Sequence, residues 1–373
     1  MPVRVPQSVD LVRAMHVVGA REARLPQMAI RGFEFFRATK RLRLLFARWP
    51  ALVAAFGFFA LLLSPATAAP LALKPENINS AEWSGTQPPA DSITPLGLRV
   101  QVLLDRAHFS PGEIDGKFGE NAKKALRAYA EAQQLPGASE LTQELWQKLA
   151  GDDRPILTQY TISASDVKGP FLAKLPSKME DMKHLTHLSY TSPRQELAEK
   201  FHMSEDLLSA LNPARPFDRE GTTVIVSDVG VKGSKSPPIE KVEVDKQRQT
   251  VKVFDRSDNL VAFYPATVGS EEKPSPSGTL KVTDIQHNPT YHYNPDYHFK
   301  GVRSKRAFTI NPGPNNPVGT VWISLSAEGY GLHGTPYPGK VSKAESHGCV
   351  RLTNWDAERL AKQVKKGTPV VFG

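Results

Sequence analysis

The chain has a single cysteine among its 373 residues, Cys349, which lies in the run SHGCVR from Ser346 to Arg351. A second histidine-containing stretch places His333 sixteen residues before the thiol. A lone thiol has no partner for an internal disulfide, and a thiol beside an imidazole is a common activated nucleophile. The residue types therefore predict covalent catalysis by Cys349.

Two histidines are candidates for the base that accepts the thiol proton. In an extended segment the side chains of His347 and Cys349 share a face, because side chains alternate along a strand. His333 can instead reach the thiol from a neighbouring strand. The residues alone leave the choice of base open.

Two other interpretations use the same residues. His333, His347 and Cys349 could serve as three zinc ligands, since zinc accepts nitrogen and sulfur donors. No C-x-x-C pair or H-E-x-x-H sequence accompanies them, which favours a site without metal. Alternatively, Cys349 could be a small buried hydrophobe in a protein without catalytic activity. Stoichiometric zinc would support the first alternative, and a thiol that resists labelling would support the second.

Composition and charge limit the classes of protein. The chain contains 40% hydrophobic and 23% charged residues, a globular composition with enough length for two or three domains. Its net charge of +9 is concentrated in residues 1–68, which hold ten Lys and Arg against three Asp and Glu. The rest of the chain holds 37 basic and 35 acidic residues. Without a basic stripe interleaved with aromatic residues, nucleic acid is not an expected partner.

The N-terminal leader predicts export. Basic residues precede an uninterrupted apolar run, Ala51–Leu63, and an A-x-A cleavage pattern ends at Ala68. We therefore expect residues 1–68 to be a basic leader with a signal peptide, and the protein to reach the periplasm or cell envelope. An uncleaved leader would leave it anchored in the membrane. Residues 69–95, rich in Pro, Ser, Thr, Asn and Ala, are the expected linker.

Residues 96–151 show three stretches of apolar residues at helical spacing, which predict a small three-helix domain. The run Ile114–Gly119 (IDGKFG) lies between the first two stretches, and Leu145 and Trp146 lie in the third. Through these residues the segment resembles the peptidoglycan-binding helical domain of bacterial wall enzymes. The resemblance implies glycan binding, and a helical spacer that binds nothing is the alternative.

Residues 152–229 follow a different order of elements. A helical pattern closed by Asn212 and Pro213 precedes the strand-like run Thr222–Val226. This order resembles a divergent LysM module, an α/β unit that implies wall binding. A packing module without a ligand is the alternative. Residues 230–238, rich in Gly, Ser and Pro, are the expected second linker.

Residues 239–373 change to the alternation typical of antiparallel strands. Residues 284–312 form a long connection, dense in aromatic and histidine residues, of the kind often found as a lid over an active site. A last helix is expected to begin near Thr353, the predicted cap three residues before Asp356, with Asn354 as a competing cap. The predicted fold class is multidomain α+β: a three-helix domain, a LysM-like α/β module, and a mostly antiparallel β catalytic domain with a capping helix.

Two short motifs near the C-terminus form a specific pair. They are HGT, from His333 to Thr335, and SHGCVR, from Ser346 to Arg351. Together they resemble the signature of the L,D-transpeptidase catalytic domain, also called YkuD-like, and Gly313–Gly319 resembles another family segment. The resemblance implies that Cys349 is the nucleophile and that His333 is the proton donor and acceptor.

The resemblance also implies roles for the neighbours of the thiol. The residues implied to line the site and to form the oxyanion hole are Ser346, His347 and Gly348. Arg351 and Gly334 are implied to position the loop or the substrate. Some family members have Ser where this chain has Gly334, so a backbone carbonyl is our candidate for the group that orients His333. His347 is the alternative base.

The implied reaction is a two-step acyl transfer on peptidoglycan. Cys349 attacks the carbonyl of the L-configured centre of a diamino acid in a stem tetrapeptide, and D-alanine leaves. An amine then attacks the thioester and releases the thiol. The implied partners are stem peptides and glycan, with an outer-membrane protein as a further candidate acceptor, carbapenems as expected inhibitors, and no cofactor. The alternatives are an L,D-carboxypeptidase or crosslink-cleaving hydrolase with the same site, and a non-catalytic peptidoglycan-binding protein.

Overall fold

The computed structural model describes residues 73–136, 139–230, 239–270, 274–297, 302–344 and 348–373. The predicted leader, Ser346 and His347 lie outside these residues, as does nearly all of the predicted linker 230–238. All described residues belong to one compact unit. Within the described part of the chain, no helix has both the length and the apolar character needed to cross a membrane.

Most α-helices of the described residues lie in the N-terminal half of the chain. They are α1 (Pro75–Asn79), α2 (Pro95–Arg106), α3 (Glu120–Ala132), α4 (Gln143–Leu149), α5 (Ala164–Lys168), α6 (Met179–Met182), α7 (Pro193–Lys200), α8 (Glu205–Leu211) and α9 (Asn354–Gln363). Six of these helices follow a Ser or Thr whose hydroxyl accepts an N–H of the first turn, which satisfies a backbone donor that the helix leaves free. Thr353, the predicted cap of the last helix, is one of them.

The strands of the described residues concentrate after residue 239. They are β1 (Leu157–Thr161), β2 (Thr223–Ser227), β3 (Ile239–Asp245), β4 (Thr250–Asp255), β5 (Leu260–Pro265), β6 (Thr267–Val268), β7 (Gly278–His287), β8 (Tyr291–Tyr293), β9 (Phe308–Ile310), β10 (Val321–Leu325), β11 (Gly331–His333), β12 (Val350–Arg351) and β13 (Pro369–Phe372). Two 3₁₀ helices, Pro295–Tyr297 and Pro338–Lys340, interrupt the loops.

Nine of the strands form one sheet in the order β5-β4-β3-β13-β7-β10-β11-β12-β6. Only the β13–β3 and β11–β12 pairs in this sheet are parallel, so the predicted mostly antiparallel C-terminal domain is confirmed. β1 pairs with β2, and β8 pairs with β9 in a separate two-stranded ribbon. The β8–β9 ribbon falls inside the predicted lid segment 284–312.

Two large apolar cores hold these elements. In the C-terminal core, Leu360 and Ala361 of α9 pack with alternate side chains of the nine-stranded sheet. The other core joins the helices of residues 96–151 to α7, α8 and β2, and it includes Phe263 of β5. The two N-terminal segments thus share buried apolar surface with each other and with the edge of the sheet. Their division into two modules stays a prediction.

A buried charged group also ties α9 to the N-terminal helices. Asp105 of α2 is fully buried and accepts two hydrogen bonds from Arg359 of α9, at 2.7 and 2.8 Å, with His202 at 3.2 Å. Burial alone would raise the pKa of this carboxyl, but Arg359 and His202 hold it well below its usual value. Because a buried ion left without its partner is strongly destabilising, these contacts fix the orientation of α9.

Candidate active site

Two short adjacent strands bring the predicted catalytic residues together. β11 pairs in parallel with β12, with Leu332 opposite Val350 and His333 opposite Arg351. Leu332 and Val350 are buried in the C-terminal core, so the alternation of side chains places His333 and Arg351 on the opposite face. Cys349 directly precedes β12 and lines the same cavity as both. The sheet register therefore brings a thiol, an imidazole and a guanidinium to one cavity.

The cavity over this face has a volume of about 310 Å³. Its described lining residues are Met179, Gln286, Pro289, Thr290, Tyr291, His292, Pro317, Val318, Trp322, Gly329, His333, Cys349 and Arg351. Part of the predicted lid, from the end of β7 to β8, thus lies at the site. The lining also includes Pro317 and Val318 of the predicted family segment that ends at Gly319. The lining combines a mostly apolar surface with a few polar groups, as is common in binding sites.

His333 is held in one orientation. Its Nδ1 lies 2.6 Å from the carbonyl oxygen of Gly334, and its ring stacks on Trp322 with 5.4 Å between centroids. A carbonyl only accepts, so Nδ1 carries the hydrogen and donates it, which leaves the Nε2 lone pair available. Burial, with a smaller effect of Arg351, lowers the pKa of His333 from 6.5 to about 3. His333 is therefore a neutral imidazole that can accept a proton.

Cys349 is also neutral in the resting site. Its Sγ lies 3.6 Å from the carbonyl oxygen of Gly329. Burial raises the pKa of the thiol, although a backbone hydrogen bond from Gly331 and the charge of Arg351 act in the opposite direction. A neutral thiol and a neutral imidazole thus line one cavity, and the thiolate has to form by proton transfer during the reaction.

Arg351 supplies the positive charge at this face. Burial lowers the pKa of its guanidinium, yet the group keeps its charge at neutral pH because its ordinary pKa is 12.5. Its buried Nε has no hydrogen-bond partner among the described residues. A buried, unused donor at the cavity can bind a developing negative charge or a substrate carboxylate.

Contacts of Gly348 fix the backbone directly before Cys349. Its φ of +100° lies in the region that favours glycine, and a Cβ there would lie 2.9 Å from Cε1 of Tyr330. The carbonyl oxygen of Gly348 accepts a hydrogen bond of 2.7 Å from Ser275 Oγ. These contacts set the direction of the backbone that carries Cys349. Ser346 and His347 lie outside the described residues, so their site-lining and oxyanion roles, the alternative base and the zinc alternative stay predictions.

Asn354 is a site-supporting residue that the sequence did not reveal. The sequence suggested it only as a competing cap of α9, but Thr353 is the cap and Asn354 is 1% exposed. Its Oδ1 accepts the N–H of Thr320 at 3.2 Å and occupies the space where a Cβ of Gly334 would be. Residue 334 therefore has to be glycine, because the Asn354 side chain approaches its backbone closely beside His333.

We expect Gly334→Ala to lower both stability and activity. The added methyl must displace Asn354, and overpacking of this kind costs about 1–3 kcal/mol. Because the Gly334 carbonyl orients His333, kcat/KM should also fall by roughly 10- to 100-fold. Gly119→Ala is the matched control, since its Cβ would meet its nearest neighbour at an ordinary 3.7 Å. Thermal unfolding and acylation kinetics of both variants check this, and equal behaviour of the two would contradict it.

Comparison with known proteins decides the family of this region. The sequence model of the YkuD L,D-transpeptidase catalytic domain matches residues 240–372. This region is an L,D-transpeptidase catalytic domain. YkuD of Bacillus licheniformis, assigned to the L,D-transpeptidases, is 28% identical over 178 residues, which cover 47% of this chain and 90% of that protein.

Two further proteins are similar to part of this chain. YkuD of Bacillus subtilis, with the same assignment, is 31% identical over 116 residues, which cover 31% of this chain and 56% of that protein. Among solved structures, the L,D-transpeptidase from Mycobacterium smegmatis is 20% identical, with a TM-score of 0.30, and the match covers 40% of this chain and 66% of that one.

Proposed function

We propose that the protein is a cysteine-dependent L,D-transpeptidase that acts on peptidoglycan stem peptides. The observation that carries the proposal is that Cys349 and a neutral, oriented His333 line one cavity at the β11–β12 pair. The match of residues 240–372 to the L,D-transpeptidase catalytic domain supports the choice of substrate class.

The first half of the proposed reaction forms an acyl-enzyme. His333 Nε2 accepts the thiol proton as Sγ of Cys349 attacks the carbonyl of the diamino acid in the stem. Backbone N–H groups near Gly348 bind the oxyanion, and the positive charge of Arg351 favours the charged intermediate. Protonated His333 then donates its proton to the departing D-alanine, which leaves a thioester on Cys349.

The second half transfers the acyl group to an amine. His333 accepts a proton from the attacking amine, and the thiol is regenerated as a new peptide bond forms. The acceptor is a second stem peptide or, as the finer alternative, an outer-membrane protein. Residues 286–292 at the cavity are suited to exclude water, which would otherwise hydrolyse the thioester.

The proposal also includes export and wall binding. The reaction needs the protein in the periplasm or cell envelope, for which the leader pattern of residues 1–68 is the support. Residues 96–229 are proposed to hold the enzyme on the glycan, with the helical and LysM-like resemblances as support.

The test is incubation of the purified protein with stem tetrapeptides and muropeptide acceptors, followed by mass analysis of the products. We expect crosslinked dimers and free D-alanine. Tripeptides alone would indicate a carboxypeptidase, and unchanged substrate with a reactive Cys349 would contradict the proposed activity.

The pH profile of acylation tests the protonation states. His333 with a pKa of about 3 is already neutral far below the ordinary 6.5, so lowering the pH through 6.5 does not remove the base. The rate of carbapenem acylation should therefore stay nearly constant from about pH 8 down to about pH 5. Stopped-flow measurement across this range, with thermal unfolding as a control for folding, checks it. A loss of about tenfold centred near pH 6.5 would contradict the assigned neutral ring.

A further inference from the structure

One wall of the active-site cavity comes from outside the L,D-transpeptidase domain. Met179, the first residue of α6, lines the cavity together with Cys349 and His333. The family match begins at residue 240, so Met179 belongs to the predicted LysM-like stretch 152–229. We call residues 175–190, which contain α6, the bracing segment.

Apolar contacts join the bracing segment to the β8–β9 ribbon. Met182, Leu188 and Ile310 form a small buried cluster that is separate from the two large cores. Tyr291 and Phe308 of the ribbon pack against this cluster. The ribbon includes cavity-lining residues of β8, so the bracing segment supports the wall that Tyr291 and His292 form.

Hydrogen bonds join the same segment to a second wall of the cavity. The N–H of Leu188 donates to the carbonyl of Pro312 at 2.8 Å, and the N–H of Asn315 donates to the carbonyl of Leu188 at 2.9 Å. Asn315 Nδ2 also donates to the carbonyl of Ser189 at 2.7 Å. A Cβ at Gly313 would overlap the backbone of Leu188, so glycine permits this close approach.

The loop held in this way continues directly into the cavity. Pro317 and Val318, two and three residues after Asn315, line the same cavity as Met179 and Trp322. Met179 thus shares the cavity with residues of the ribbon and of this loop, and its own segment contacts both. Its unbranched thioether side chain can adapt to an aliphatic group.

We propose that Met179 is a specificity residue that contacts the aliphatic part of the stem peptide. The proposal rests on the proposed function and extends it, because it places substrate recognition partly outside the L,D-transpeptidase domain. The methylene chain of a diamino acid or the methyl group of an alanine are the groups with matching chemistry. Met179 takes no part in proton transfer.

The prediction is a change in KM with little change in kcat. Met179→Ala should raise KM for a stem tetrapeptide about tenfold, because loss of apolar contact weakens binding by roughly 10- to 200-fold per small group, and leave kcat within about twofold. Met179→Leu, which keeps the apolar volume, should retain the KM of the unchanged protein. The measurement is steady-state release of D-alanine over a range of tetrapeptide concentrations.

Met182→Ala is the matched control, since Met182 belongs to the same short helix and cluster but does not line the cavity. Met182→Ala should lower the thermal midpoint of unfolding and leave KM close to that of the unchanged protein. An unchanged KM in Met179→Ala, or an equal KM increase in Met179→Ala and Met179→Leu, would overturn the assignment of Met179. Turnover by the unchanged protein separates the two claims: its absence, with Cys349 still alkylated by iodoacetamide, would overturn the proposed function and this extension together.

Discussion

Replacement of Cys349 by alanine is expected to abolish turnover of stem peptides, with a loss of at least about 10⁴-fold in kcat. No thiol remains to attack the carbonyl, and the chain has no second cysteine that could substitute. The neutral His333 beside it can still accept a proton from water, so slow hydrolysis is the only residual reaction expected. Chromatographic analysis of D-alanine release measures the loss.

The control for this variant is its stability. Cys349 is partly exposed and replacement by alanine adds no bulk, so the thermal midpoint should stay close to that of the unchanged protein. Crosslinked dimers formed by Cys349→Ala at an undiminished rate would contradict the nucleophile assignment.

His333→Gln is expected to lower kcat/KM by about 10²- to 10⁴-fold, the usual contribution of a positioned acid and base. Because the resting thiol has a raised pKa, Cys349 depends on an adjacent base to become nucleophilic at neutral pH. High pH should therefore partly rescue this variant, since the thiol then ionises without help. Acylation rates measured from neutral to alkaline pH test this.

His347→Ala is the matched comparison for the base. It should leave most of the acylation rate if His333 is the base. A much larger loss in His347→Ala than in His333→Gln would reverse the assignment and favour the alternative base. An acylation rate that rises with pH by the same factor in the unchanged protein and in His333→Gln would also contradict the role of His333.

The sequence predicted the catalytic face because that face depends on local rules. The alternation of side chains along β11 and β12 places His333 and Arg351 together, and the motifs mark both strands. A backbone carbonyl was the predicted group that orients His333, and in the structure this is the carbonyl of Gly334. The mostly antiparallel sheet follows from the period-two apolar pattern after residue 239.

Other parts of the site depend on contacts between distant residues, which carry no periodic signal. Asn354 approaches Gly334 closely only after α9 has packed on the sheet. Met179 reaches the cavity from a stretch that lies before the matched residues 240–372, and the spacing of its apolar residues does not indicate which distant surface they contact. The low pKa of His333 likewise depends on burial, which the motif does not encode.

The segmentation into modules was predicted from composition and element order, which do not report shared cores. In the structure, Leu104 of α2, Leu207 of α8 and Phe263 of β5 contribute to one core. Together with the Asp105–Arg359 contact, this places the N-terminal helices in direct support of α9. Truncation of the N-terminal segments, made to remove glycan binding, would therefore also lower the stability of the catalytic domain.

The most direct test of the central claim is mass spectrometry of the protein after brief incubation with a stem tetrapeptide. The proposed mechanism predicts a mass increase equal to the tetrapeptide less D-alanine, located on Cys349 and lost when an acceptor amine is added. Conversion of the tetrapeptide without an adduct on Cys349, or with the adduct on another residue, would contradict it.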